Sequence, residues 1–296
     1  MIQQDGTIMG RPLFPYQRKS NSGELRALIV KAVFQIMKEQ ALHLHLIFRL
    51  ALFEIKSTYQ LHYLGIFWQI LNPASRIFVY WLVFGLGIRG GEPVGEIPFF
   101  IWLILGLIPW LFISPAIIQG SNSIFAKISL VSKMKFPISV MPSVAIISNS
   151  FNFFILLALL LVLLIVYGIN PGIYLLQLPY YLAALYLFLF SVTLLFSTIS
   201  AVFRDFQSML QSLMRMMVYV LPILWDVSSL ASPWLEILKL NPLFYLIQGF
   251  RSTLLGGAWF YEDITYTIYF WAITLVILLI GSMLHMKFRN RFIDYL

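Results

Sequence analysis

Six apolar runs, each long enough to cross a lipid bilayer as a helix, decide what this chain can become. About 20 helical residues span about 30 Å of hydrocarbon. Residues 66–88, 98–119, 142–167, 174–200, 206–225 and 264–286 all meet that length. Spanning helices tolerate proline, because neighbouring groups satisfy the freed backbone. Pro109, Pro115, Pro179 and Pro222 are therefore expected to be kinks rather than stops. Tyr167-Gly168-Ile169-Asn170-Pro171-Gly172 reads as a tight turn between the third and fourth runs. The chain is 60% hydrophobic and only 11% charged. Soluble domains carry about 25% charged residues, so this one has too little charge to cover a water-exposed surface. The expected fold class is an all-α membrane protein with six transmembrane helices.

Orientation follows from the basic residues, which collect on the cytoplasmic side of membrane proteins. With the N-terminus inside, segments 1–65, 120–141, 201–205 and 287–296 hold fifteen of the twenty lysines and arginines. The outer segments hold only Arg89, Lys239 and Arg251, and Arg76 and Arg215 fall within spans. Both termini are therefore expected in the cytoplasm. Residues 1–24 contain Pro12, Pro15, Arg18 and Lys19 and show no apolar leader core. The net charge of +8 belongs to this inside bias and does not call for nucleic acid. The absence of cysteine excludes disulfides and thiolate metal sites.

Two segments are apolar without spanning. Leu25, Leu28, Ile29, Ala32, Val33, Ile36 and Met37 recur at three- and four-residue spacing, among Lys31, Lys38, Arg49, Glu54 and Lys56. Residues 24–63 are read as an amphipathic helix on the inner membrane face, with packing on other protein as the alternative. The expected organisation is a cytoplasmic segment, 1–65, followed by a six-span domain, 66–296. Residues 233–257 are apolar but broken at Asn241-Pro242, and neither half is long enough to cross. An outer re-entrant hairpin between spans five and six is expected there.

Several patterns carry no chemistry. Gly85-Leu86-Gly87-Ile88-Arg89-Gly90 matches a dinucleotide fingerprint, but a membrane span precedes it and no helix opens at its end. Gly91-Glu92 stands where a phosphate-binding loop needs Lys-Ser/Thr, so ATP hydrolysis by this chain is not expected. His43 and His45 lie about 200° apart on a helix and do not share a metal. His62 and His285 are read as interfacial. No catalytic or metal site is assigned.

The informative pattern is a polar stripe on two spans. Trp68, Asn72, Arg76, Tyr80 and Phe84 step by four along span one, and Gln207, Gln211, Arg215 and Tyr219 do so along span five. Steps of four keep side chains near one helix face. An intramembrane arginine costs at least about 2.5–3.5 kcal/mol on insertion scales and usually faces a cavity, a partner or a pathway. Snorkelling of Arg76 and Arg215 to the headgroups is the alternative. The functional reading is a conduit in which aromatic faces stack on sugars and arginine binds phosphate. A second clue is the inner loop 121–136, where Lys127, Lys133 and Lys135 alternate with Ile124, Phe125, Ile128 and Leu130. Such a segment suits docking into a groove on a cytoplasmic protein or anchoring spans two and three at the interface.

These residues also resemble a known family. Residues 59–73, ending in Phe67-Trp68-Gln69-Ile70-Leu71-Asn72-Pro73, resemble the entry to span one in bacterial ABC type-2 permeases that export polysaccharides. Residues 79–91, with Tyr80-Trp81 and Gly85-Leu86-Gly87, narrow the likeness to the wall teichoic acid exporters. Ser132-Lys133-Met134-Lys135-Phe136-Pro137, Phe203-Arg204-Asp205 and Leu240-Asn241-Pro242-Leu243 resemble further segments in matching order. The resemblance implies two copies of this chain working with two copies of a separate cytoplasmic ABC ATPase that binds ATP and Mg. No cofactor is then expected in this chain. It further implies a coupling helix over 124–135, with Ile124, Phe125, Lys127, Ile128, Lys133 and Lys135, and an outer gate at Asn241, Pro242, Phe244 and Tyr245. The implied substrate is teichoic acid on an undecaprenyl diphosphate carrier, with another lipid-linked polysaccharide such as O-antigen as the alternative. The implied location is the bacterial cytoplasmic membrane. A membrane glycosyl- or phosphotransferase would need clustered acids, and the twelve here are scattered. A channel or secondary carrier would work without an ATPase.

Overall fold

The computed structural model describes residues 22–59, 65–127 and 137–289, and among them the only non-helical pairing is an isolated bridge between Val94 and Ile97. The helices are α1 (Ser22–Leu42), α2 (Leu44–Tyr59), α3 (Trp68–Tyr80), α4 (Phe99–Ala126), α5 (Met141–Val166), α6 (Leu178–Val202), α7 (Asp205–Val220), α8 (Ser232–Lys239), α9 (Pro242–Leu255) and α10 (Ile264–Phe288). A π-helix, Trp81–Ile88, continues α3, and short 3-10 turns lead into α5 and α6.

Five of these segments have the length and hydropathy to cross a membrane: Trp68–Ile88, Phe99–Ala126, Ile138–Val166, Gly172–Val202 and Ile264–Phe288. They match five of the six expected runs. The sixth run, 206–225, is α7 followed by a turn. At 16 residues α7 is about 24 Å long. It stops because Leu221 precedes Pro222, and a residue before proline is pushed out of the helical region. Leu221 is extended, with φ −75° and ψ 148°. Pro222 is thus a stop, not a kink. Pro179 is not a kink either, since it lies in the first turn of α6, where its missing N–H costs nothing. Pro109 and Pro115 do sit inside a continuous helix.

The bundle is built around α4, which is apolar all round and 78% buried over its spanning window. α5 and α6 flank it, α10 packs on α6, and α9 fits the notch between α4 and α6. That fit needs Gly249, because a Cβ there would overlap the Tyr181 ring. Span one lies at the edge, with 11% of its window buried.

The amphipathic lead is two helices broken at His43. Ala32, Ile36, Ile47 and Ala51 are buried, while Val30, Phe34, Leu42, Phe48 and Phe53 are exposed. Glu39 ties the lead to the bundle: it accepts from Ser139 Oγ and pairs with Arg289 at 2.6 Å. Burial raises the Glu39 carboxyl pKa, but the Ser139 and Arg289 hydrogen bonds, the Arg289 charge and Gln35 outweigh it and hold the group below its usual value. His285, expected at the interface, is instead fully buried, with Nδ1 3.3 Å from Thr198 Oγ1. His62 lies outside the described residues.

Candidate functional site

Of the described helices, α3 and α7 each combine a polar stripe with an apolar one, while α4, α5, α6 and α10 are more uniformly apolar. On span one, Asn72 and Arg76 are exposed, and Trp68, Tyr80 and Phe84 are half-buried. The Tyr80 and Phe84 rings stand 6.4 Å apart. On α7, Gln211 is half-buried and Arg215 is exposed, with its Nη2 donating to Ser212 Oγ at 2.9 Å. Tyr219 is 57% exposed. Tyr80 lies within electrostatic range of both Tyr219 on α7 and Arg76 on its own helix. Arg76 and Arg215 are both exposed, outside the subunit core.

Gln207 stands apart from the rest of its stripe. Its Nε2 donates to the Ile118 carbonyl at 3.0 Å, and its Oε1 accepts from Ser121 Oγ at 2.7 Å. It therefore joins α7 to α4. Beside it, the Arg204 guanidinium lies over the Phe125 ring at 5.3 Å. Ser121 was read from sequence as the start of a loop. In fact α4 runs on to Ala126: Ser123 Oγ donates to the Gly120 carbonyl one turn back at 2.7 Å, and Ser121 Oγ shares its proton between Gln207 Oε1 at 2.7 Å and the Ile118 carbonyl at 2.8 Å.

The expected coupling segment is correspondingly divided. Ile124 and Phe125 belong to the last turn of α4, not to a separate helix. Ile124 is fully buried against Ile47, Ala51, Met141 and Val144, while Phe125 is 38% exposed. Lys127 follows the helix end and contacts the Glu54 carboxylate of α2. Burial lowers the Lys127 pKa to about 8, while the contacting carboxylate favours its charged form. Ile128, Lys133 and Lys135 lie outside the described residues.

At the other end, Asn241-Pro242 is a helix start. Asn241 Oδ1 caps α9 by accepting from Leu243 N at 3.0 Å, and proline takes the first helical position. Phe244 and Tyr245 do not face outward: they are 4% and 5% exposed and stand in the core. Tyr245 stacks on Phe270 at 4.5 Å, and its hydroxyl joins Tyr180 at 2.8 Å and Thr267 at 3.1 Å. Alternation of apolar residues through α9 gave no warning of this, since the helix is enclosed on most sides.

Sequence reasoning missed Arg251, counted as an outer-loop charge. It is 5% exposed and its guanidinium lies 3.7 Å over the Trp102 ring of α4. Nη1 donates to the Pro222 carbonyl and, at 3.1 Å, to Gln248; Nη2 donates to the Ile223 carbonyl at 3.2 Å. Gly106 makes the room, since a Cβ there would strike Nη2. The detectable signal was Trp102 and Gly106, one turn apart in an otherwise bulky helix: a ring with a slot beside it.

A family model described as ABC-2 type transporter matches residues 45–255. The O-antigen export system permease protein RfbA of Myxococcus xanthus is 29% identical over 201 residues, covering 67% of this chain and 76% of that protein. A protein of the same name from Klebsiella pneumoniae is 28% identical over 244 residues, 82% of this chain and 92% of that one. The polysialic acid transport protein KpsM of Escherichia coli is 24% identical over 233 residues, 78% and 89% respectively.

Proposed function

Because this chain belongs to the ABC-2 type transporter family, we propose that it is the membrane half of an ATP-driven exporter of lipid-linked polysaccharide, with an O-antigen-like polymer as its cargo. The observation that carries the reading is the pair of polar, aromatic stripes on α3 and α7, whose Asn72, Arg76, Arg215 and Tyr219 side chains are exposed. The similar proteins that carry O-antigen names supply the polymer class. Teichoic acid is the second reading, favoured by the likeness of residues 79–91 to its exporters.

Trp68, Asn72, Tyr80, Phe84, Gln211 and Tyr219 line the path, where flat rings stack on sugars without holding any one of them. Arg76 and Arg215 attract the diphosphate of the carrier through charge-assisted hydrogen bonds. One subunit encloses little space, so two copies build the path between them, and two separate ATPase subunits bind ATP and Mg and drive it. The α4 end, with Phe125 and Lys127, and residues 128–135 receive the ATPase. α7 with residues 221–226 makes the fifth of six crossings, α8 and α9 form the outer hairpin, and both termini stay in the cytoplasm.

The test is reconstitution of the chain with its ATPase in liposomes, supplied in turn with lipid-linked O-antigen and lipid-linked teichoic acid. ATP-dependent appearance of O-antigen at the far leaflet is expected. Movement of teichoic acid alone replaces the cargo with the second reading, and movement of neither refutes the function.

A further inference from the structure

We propose that α7 is joined to α4 at both of its ends, so that these two helices shift as one body and the path changes width by displacement of span one. This rests on the reading above that the faces of α3 and α7 line the path. It makes Gln207 and Arg251 positioning residues rather than substrate contacts.

The inner joint is Gln207, two residues into α7. It is held in both directions by Ser121 Oγ at 2.7 Å and the Ile118 carbonyl at 3.0 Å, and Ser121 is fully buried. Arg204 over Phe125 adds a second contact between the same two elements. The outer joint begins immediately after α7, where Arg251 grips the Pro222 and Ile223 carbonyls while stacked on Trp102 and seated against Gly106, both of α4. From Trp102 to Ser121 is about 28 Å along a helix. The joints therefore stand near opposite faces of the membrane, and a rod fixed at two such points does not pivot on its partner.

Span one is held differently. Only 11% of its window is buried, against 78% for α4. Its buried residues are few: Gln69 and Pro73 toward the inner end, and Gly85 at the outer end, where Gly85 lies against the Phe99 ring and Arg89 covers the same ring at 5.4 Å. There the ladder is a π-helix, closed by Arg89 N to the Phe84 carbonyl at 3.2 Å. Single π turns are frequent at functional positions and loosen the usual four-residue spacing. With only 11% of its window buried, span one is the wall of the path least held by this subunit.

The chain contains no cysteine, so spin labels can be placed without background in the full complex with its ATPase in nanodiscs. One pair, Gln119→Cys with Met209→Cys, reports α4 against α7. The other, Val79→Cys with Met216→Cys, reports span one against α7. Between nucleotide-free and ATP-trapped states, the first distance distribution is expected to stay unchanged and the second to shift. A shift of the first comparable to that of the second, or no shift of the second, overturns the proposal. Q207L is expected to broaden the first distribution and lower the maximal transport rate, with KM for lipid-linked polymer unchanged. A raised KM at unchanged maximal rate would place Gln207 on the substrate and overturn its positioning role. Distances as expected in a complex that moves no polysaccharide support the joint and count against the transport reading instead.

Discussion

Replacing Arg251 by methionine isolates what its guanidinium contributes. The apolar stem keeps its packing, while the Pro222 and Ile223 carbonyls lose their donor in a region where both residues are buried. A buried acceptor without a partner costs about 1–3 kcal/mol, so two cost about 2–6 kcal/mol. Loss of the stacking on Trp102, at 3.7 Å, adds about 2 kcal/mol for a desolvated cation. Against this, a charge no longer has to be held out of water, a relief of several kcal/mol. The net loss is on the order of 3 kcal/mol. It is measurable as a shift in the reversible unfolding of the protein in mixed micelles with increasing SDS fraction. Gln248→Ala is the control: it removes one bond to Nη1, at 3.1 Å, and should cost less than about 1.5 kcal/mol. R251M within about 1 kcal/mol of the parent, a net hydrogen bond's worth, would show that the guanidinium braces nothing.

Gly249→Ala forces a methyl into the Tyr181 ring, which Tyr245 and Phe250 hold from the other sides; overpacking of this kind should cost about 1–3 kcal/mol in the same unfolding assay. The Glu39 carboxyl titrates below its ordinary 4.5 in the folded protein, so its stabilisation is complete above that pH and lost as pH falls through the lowered value. Thermal stability should drop on acidification below 4.5 more steeply in the parent than in Glu39→Gln, and parallel curves would contradict the Arg289 tie. Arg76→Ala with Arg215→Ala should weaken polymer stimulation of the ATPase about tenfold or more, the loss of a charge-assisted contact at each site; unchanged stimulation removes both from the mechanism.

Much of the architecture is readable from the chain because lipid imposes a single test, a long apolar run; five runs pass it in the structure, all but the second within about four residues at each end. The four-residue spacing is legible as helix faces, on which Asn72, Arg76, Arg215 and Tyr219 are exposed. What was hidden depended on neighbours that periodicity does not name. Gln207 shares the Arg215 face by spacing, yet Ser121 captures it. Arg251 looks like a loop charge until Gly106 opens a slot for it. Phe244 and Tyr245 directly follow the Asn-Pro break, yet they are buried because α9 is enclosed by α4, α6 and α10. Gly120, Ser121 and Ser123 look like loop residues, yet α4 continues to Ala126 because Ser123 bonds back to Gly120 and Ser121 bonds across to Gln207.

Because span one is so little held by its own subunit, the bilayer itself sets part of its posture. Its 21 residues measure about 31 Å as a helix, close to the thickness of an average hydrocarbon layer. Mismatch costs a fraction of a kcal/mol per Å and is relieved by tilt. The tightly enclosed α4 is shielded from that pressure and span one is not. A thinner or thicker membrane would therefore tilt span one against the rest of the bundle, making acyl-chain length a tuning variable for this protein.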